Sequence, residues 1–396
     1  LLSHFCKGKR TLFFTAEQKN DTDNLRSFSR AIWSFFEERD DNPTFDSWAN
    51  ALGYLADHCP RDERTVFVFD EFPYAAAANP SLPSTLQIAI DHTFKRSNLM
   101  LALCGSNEGF MESEVLSYKS PLYGRRTSQI RLKPFDYQDT ARLLGGYSPE
   151  EHAAYYAVFG GTPYYLEQID RSLPFAENVQ RLMFDISGIL YAEPQMLIRQ
   201  ELREPATYTS VLDAIGSGAT HPKQIAERAG IDPAAVSNYL SALVRLGLVT
   251  REVPFGEDPS RSRKGLYYLS DPFFSYWYRF VSPYIGAIEA GLGEAAAKIA
   301  TQGDGFSTYV GTQFEDICRQ WLTNQAIRER VDIDVVAGNK TSGHLCVGEC
   351  KYRSRFNESE AIQTLEHRAT LIPGFKQTPH VLFMKGEPSS ETSRKA

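Results

Sequence analysis

The stretch Thr65-Val66-Phe67-Val68-Phe69-Asp70-Glu71 sets the strongest limit on what this chain can fold into. Apolar or β-branched residues run without alternation and stop at two adjacent carboxylates. A strand with one wet face alternates, so an unbroken run predicts a strand buried on both faces, as in a parallel sheet. Leu99-Met100-Leu101-Ala102-Leu103 repeats the pattern and ends in the small polar run Cys104-Gly105-Ser106-Asn107. Helical spacing over Leu86–Lys95 lies between the two. Strand, helix, strand is the rhythm of a parallel α/β sheet.

Open α/β sheets place ligands at the carboxyl ends of their strands. Asp70 is expected there as a Mg²⁺ support and Glu71 as the group that polarises an attacking water. Ser106 and Asn107 emerge beside them, able to hydrogen-bond a γ-phosphate or a water. The plain structural alternative is that Asp70 only caps the next helix. Further on, Leu122-Tyr123-Gly124-Arg125-Arg126 precedes Gln129-Ile130-Arg131-Leu132, read as a short alternating edge strand. An arginine before such a strand, Arg125 or Arg126, can reach a nucleotide and offset transition-state charge.

Phe69-Asp70-Glu71-Phe72, Gly105-Ser106-Asn107, Leu122–Arg126 and Gly160-Gly161-Thr162-Pro163-Tyr164-Tyr165-Leu166 stand in the order seen in archaeal-type AAA-like P-loop ATPases, which the chain resembles over nearly its whole length. The resemblance implies ATP and Mg²⁺ as cofactors, catalytic roles for Glu71 and Arg125, and nucleotide contacts from Asp70, Ser106, Asn107 and Arg126. It also implies a helical lid containing the Gly-Gly-x-Pro turn. No Gly-x-x-x-x-Gly-Lys-Ser/Thr occurs in the 396 residues, so the phosphate-cradling loop is missing from them. Leu1–Phe5 matches the helix that follows that loop in the family, and Thr11–Ala16 the next strand. The expectation is a piece beginning just after the P-loop, which by itself binds ATP weakly or not at all.

At 396 residues the chain suggests two or three domains. A net charge of −7 excludes a generally basic coat but not a local basic face. No apolar run approaches the roughly 20 residues of a membrane span. Six scattered cysteines without a Cys-x-x-Cys pair predict buried thiols rather than a disulfide or zinc framework, and a cytoplasmic protein.

Residues 203–272 are expected to form a winged helix-turn-helix. Tyr208–Ile215 is apolar-periodic, His221–Gly230 a short helix closed by glycine, and Asp232–Leu246 a recognition-like helix capped by Asp232. The hairpin pairs the strand after Gly247 with Leu266–Leu269. Arg245 in the helix and Arg261, Arg263 and Lys264 at the wing tip are the candidate contacts to double-stranded DNA. Acids nearly balance bases here, so a packing or partner role is the alternative. Phe273–Phe280 reads as an aromatic helix of the core, and Gly303–Gly305 as a loop.

The last candidate lies between 306 and 386. A helix over Val310–Asn324 carries Glu315, an alternating strand carries Asp332 and Asp334, and His344–Tyr352 carries Glu349-Cys350-Lys351. Period two puts Glu349 and Lys351 on one face. This order resembles the PD-(D/E)xK nuclease fold in a DUF234-type region. The resemblance implies Mg²⁺ bound by Asp334 and Glu349, completed by Glu315, with Lys351 activating water and Gln363 nearby.

The expected architecture is therefore α/β and multidomain: a P-loop AAA-like core over 1–145, a helical lid over 146–202, the winged helix over 203–272, and a restriction-endonuclease-like region over 273–396. Three functions fit: an ATPase acting on DNA, a nucleotide-dependent switch or scaffold whose nuclease-like domain is not catalytic, or a metal-dependent nuclease with a vestigial ATPase half. Homo-oligomers suit any of them.

Overall fold

A computed structural model describes the chain apart from residues 37–42, 107, 203, 254–257, 259–260, 330–336, 340–343, 352–355, 371–379 and 385–396. The chain divides into two compact units, Leu1–Arg131 and Leu132–Ala396.

The first unit is built on three parallel strands in the order β1 (Thr11–Thr15), β2 (Thr65–Asp70), β3 (Leu99–Leu103). Register pairs Thr15 with Asp70 and Phe69 with Leu103, so the strands end together. Residues Thr65–Phe69 are all buried, as the unbroken apolar run requires. Phe14, Phe28, Trp48, Phe67 and Phe69 form an aromatic core against one face; the Phe14–Phe28 and Phe28–Phe67 centroids are 5.0 and 5.4 Å apart. The helices Asp21–Phe35 and Trp48–His58 supply Phe28 and Trp48, and each starts at a side-chain cap: Asn20 accepts the Asp23 N–H and Ser47 that of Asn50.

One expectation is extended in this unit and another fails. The helix read over Leu86–Lys95 starts earlier, at Leu82, and continues through a π-turn, Ala89–Thr93, into a 3₁₀ turn. The stretch Gln129–Leu132 forms no strand; no described strand lies beside it to accept its backbone bonds, and Ile130 and Leu132 are exposed.

The second unit opens with the helices Tyr137–Leu144 and Pro149–Phe159. The latter begins in a complete capping box: Ser148 accepts the Glu151 N–H while the Glu151 carboxylate accepts the Ser148 N–H. The Gly160-Gly161 break that follows is obligatory, since a Cβ on Gly161 would lie 1.8 Å from the Phe135 carbonyl oxygen. The winged helix follows: helices Pro205–Gly216, Pro222–Ala229 and Val236–Arg245, then the antiparallel pair β4 (Val249–Glu252) and β5 (Leu266–Leu269). The aromatic segment after it is core, with Phe273, Tyr276 and Trp277 fully buried. Gly303–Gly305 is not a loop but the first turn of a helix that runs from Gly303 to Glu329. Beyond it lie β6 (Ala337–Asn339), antiparallel to β7 (His344–Lys351), the helix Glu358–Thr370, and β8 (His380–Met384), parallel to β7.

Asp271 caps the aromatic helix by accepting the Phe273 N–H at 2.7 Å. It presses on Gly160, where a Cβ would come within 2.9 Å of its Oδ1. Burial raises its pKa to about 6. A carboxyl whose folded pKa exceeds its unfolded value favours the fold only while it is protonated, so stability falls as pH rises from about 4 to about 6. Asn caps equally well and carries no charge. Asp271→Asn is therefore expected to remove that pH dependence and to stabilise the fold at pH 8 by on the order of 3 kcal/mol. Urea midpoints of both proteins at pH 5 and pH 8 check it; an equal change in the two would refute it.

Candidate active site

The strand ends of the first unit bring Thr15, Asp70, Glu71, Cys104 and Ser106 to one edge. Asp70 does not cap the following helix. Its Oδ2 accepts from the Thr15 hydroxyl at 3.3 Å, and its Oδ1 from the Cys104 thiol at 2.9 Å. Burial, then the neighbouring Asp70 carboxylate, pushes the Cys104 thiol up to about 12, so it remains a donor at any physiological pH.

Glu71 is the sole non-glycine residue with positive φ among the described residues, at φ 50° and ψ 38°. That left-handed conformation turns the chain from β2 into the helix Phe72–Ala78. The Glu71 carboxylate then accepts from the Ser106 hydroxyl at 3.2 Å and more weakly from the Ser106 N–H at 3.4 Å. The turn is locked from behind. Phe72 N–H donates to the Cys104 carbonyl at 3.0 Å, and Gly105 packs so tightly on Pro73 that a Cβ would lie 2.4 Å from its Cδ. Asn107 falls outside the described residues.

The donor set fits a hard divalent cation: a carboxylate whose oxygens keep lone pairs beyond those used by Thr15 and Cys104, with a hydroxyl and a second carboxylate beside it. Asp70 and Thr15 would hold Mg²⁺, which would supply charge to a bound phosphate. Sequence reading missed Thr15 and Cys104 as site members. The signal for Thr15 was present, because a strand ending level with Asp70 in a parallel sheet must present its last side chain there.

Arg125 takes a different place from the one expected. Its guanidinium donates twice to Asp91 Oδ2, at 2.9 and 2.7 Å, and to the carbonyls of Pro121 and Tyr123 at 3.0 and 3.1 Å. The hydrogen bonds from Arg125 hold the Asp91 carboxyl below its ordinary pKa. These contacts make Arg125 a brace of its own turn rather than a group that projects from it. Arg126, next to it, is exposed.

In the winged helix Val236, Leu240 and Leu243 face inward, leaving Ser237, Asn238, Ser241 and Arg245 on the exposed face of the third helix. That helix begins at Val236 rather than at Asp232, because the Asp232 side chain closes its own turn by accepting the Ala234 N–H at 2.9 Å. Tyr239 packs partly buried against the core, and its hydroxyl donates to Glu204 at 2.9 Å. At the wing Arg261 lies 3.6 Å from Asp258, while Arg263 and Lys264 are exposed. Arg251 braces the wing through the Ser262 carbonyl at 2.6 Å.

In the C-terminal region Asp332 and Asp334 lie outside the described residues. Glu349 and Lys351 occupy positions on β7 opposite Leu382 and Met384 of β8. Glu315 and Gln363 are exposed on their helices. Neighbouring Phe314 and Ile317 pack on Ala153 and Tyr156, and Gln320 bonds the Tyr137 N–H and the Tyr156 hydroxyl. Farther along, Trp321 meets Phe383 of β8 with centroids 5.6 Å apart. Among the described residues no three His, Cys, Asp or Glu side chains are grouped to hold a metal ion, and no helix is long and apolar enough to cross a membrane.

This arrangement defines a multidomain α/β protein with a parallel-sheet core, a helical segment and a winged helix. Comparison with known families gives the same series. Residues 5–169 match the family described as an ATPase domain predominantly from Archaea, residues 205–258 the MarR family, and residues 277–363 the DUF234 family of archaeal and bacterial proteins of unknown function. The chain is thus similar, in series, to an archaeal-type ATPase domain, a MarR-type winged helix and a DUF234 region. It is similar to an uncharacterized protein of Methanocaldococcus jannaschii, 29% identical over 304 residues, which are 76% of this chain and 65% of that protein. The match therefore spans less than two thirds of that relative's length. The crystal structure of Cdc6p from Pyrobaculum aerophilum aligns with a TM-score of 0.33 and 17% identity, covering 74% of this chain and 84% of that one.

Proposed function

We propose that this chain belongs to a nucleotide-dependent protein that hydrolyses ATP with Mg²⁺ and acts on double-stranded DNA. The observation that carries it is the pair Asp70 and Glu71, turned by a left-handed residue toward the carboxyl edge of a parallel sheet and each held by a hydroxyl or thiol from a neighbouring strand end. Asp70 would hold Mg²⁺, Glu71 would accept a proton from the attacking water, and Ser106 would keep Glu71 aimed. Arg126 is the better candidate than Arg125 for a phosphate, because Arg125 already makes four hydrogen bonds. ATP hydrolysis measured on the protein and on Asp70→Asn tests this; equal activity in the two would defeat it.

The DNA half of the proposal rests on the exposed face of the third winged-helix helix and on the cations of the wing tip. Cations placed on phosphates contribute to binding in a salt-dependent and sequence-independent way. Replacing Arg261, Arg263 and Lys264 together by Ala is expected to weaken duplex binding about tenfold or more at 100 mM salt and to flatten its salt dependence by roughly two to three cations' worth. Fluorescence anisotropy with a labelled 20-bp duplex checks it. Cleavage by the C-terminal region would use Asp334 and Glu349 for Mg²⁺, Glu315 to complete the shell and Lys351 for the water. The β6–β7 hairpin with its parallel crossover to β8 supports that reading. Mg²⁺-dependent nicking of plasmid DNA, lost in Glu349→Ala and Lys351→Ala, would test it.

A further inference from the structure

From Val115 to Arg131 the sequence has no Asp or Glu and four bases, Lys119, Arg125, Arg126 and Arg131, in a chain of net charge −7. The segment is also ordered. Three successive turns close through Ser120 N–H to Ser117 O at 2.9 Å, Tyr123 N–H to Ser120 O at 3.1 Å and Arg125 N–H to Leu122 O at 3.2 Å. Gly124 at φ 75° makes the last of them possible. Val115 and Leu122 are buried in the core of the first unit, and the Arg125–Asp91 pair fastens the far end. What this scaffold presents outward is aromatic and cationic: Tyr118 is 75% exposed, Tyr123 50%, and Lys119 and Arg126 are exposed beside them. Lys119 Nζ lies 5.8 Å from the Tyr118 ring centroid.

Two large aromatic faces left in water on a pinned loop lose apolar burial that the described residues of the first unit do not recover. Rings interleaved with cations on an acid-free segment match the needs of an unpaired nucleic-acid strand, whose bases stack on aromatic faces while its phosphates meet cations. A duplex keeps its bases stacked on one another and offers those rings no partner. The geometry points to the turn Ser117–Arg126 as a contact surface for single-stranded nucleic acid, separate from the winged helix and sharing only Arg126 with the ATPase reading. Tyr118 and Tyr123 are the stacking platforms; Lys119 and Arg126 meet the phosphates. Arg125 is a positioning residue, held by Asp91.

The test uses the whole chain and a labelled 20-nucleotide oligothymidylate, with a 20-bp duplex as comparison. All four side chains are exposed, so their replacement leaves the core intact, and circular dichroism verifies this. Tyr118→Ala with Tyr123→Ala is expected to weaken oligothymidylate binding about tenfold or more while moving duplex binding less than twofold. Tyr118→Phe with Tyr123→Phe, which keeps the rings, is expected to restore it. Lys119→Gln with Arg126→Gln is expected to lower the salt slope by roughly 0.7 per cation removed. An oligothymidylate that the parent does not bind would overturn the assignment, as would an affinity unmoved by the double Ala change; the loop would then be a surface for an acidic protein. Loss of duplex binding alone, through the wing variant, would strike the proposed function and not this one.

Discussion

Glu71→Gln is expected to lower the rate of ATP hydrolysis by about 10²–10⁴-fold, the usual worth of a positioned general base, with nucleotide affinity changed only a few-fold. Gln is isosteric, can still accept from the Ser106 hydroxyl and N–H, and cannot take a proton from water. A second substitution separates chemistry from strain. A left-handed non-glycine residue costs on the order of 1 kcal/mol or more, and Glu71 carries that cost at φ 50°. Glu71→Gly relieves it and removes the carboxylate, so the fold is expected to gain about 1 kcal/mol while hydrolysis falls as far as in Gln. Steady-state hydrolysis and urea midpoints measured on the same preparations decide the matter. If Gly neither stabilises nor inactivates, Glu71 has no part in either role.

Trp277→Ala is expected to destabilise the second unit by roughly 3–5 kcal/mol, the cost of emptying a large buried aromatic site. Trp277 is fully buried, and its indole N–H donates to the Tyr191 carbonyl at 2.9 Å, so truncation also leaves a carbonyl without its donor. The DUF234 match begins at this residue, yet its indole bonds the Tyr191 carbonyl, ahead of the winged helix. A loss below about 1 kcal/mol by chemical denaturation would mean that the region from 277 folds without the lid. Tyr309 makes the same joint from the long helix: its hydroxyl bonds the carbonyls of Ala157 and Pro272 at 2.8 and 2.9 Å.

Some of this could be read from residue order. An unbroken apolar run reads as a strand covered on both faces, which located β2 and Asp70; β3 is a strand as expected but only half-buried. The winged helix was legible through its periodic apolar faces and its glycine stop, although Asp232 closed its own turn instead of capping the helix. Gly303–Gly305 misled, because glycine lowers helix propensity locally while the long helix is held by packing farther along.

What tertiary structure alone decided is who meets whom across long separations. Arg125 finds Asp91, in the π-turn 34 residues away, and no periodicity encodes that. Cys104 meets Asp70 only because two strands end level in a parallel sheet. The sequence determined which residues form strands and helices, through local spacing and burial. Which polar side chains are spent on structure and which are left for chemistry depends on donors and acceptors that only the folded chain brings within 3 Å of each other.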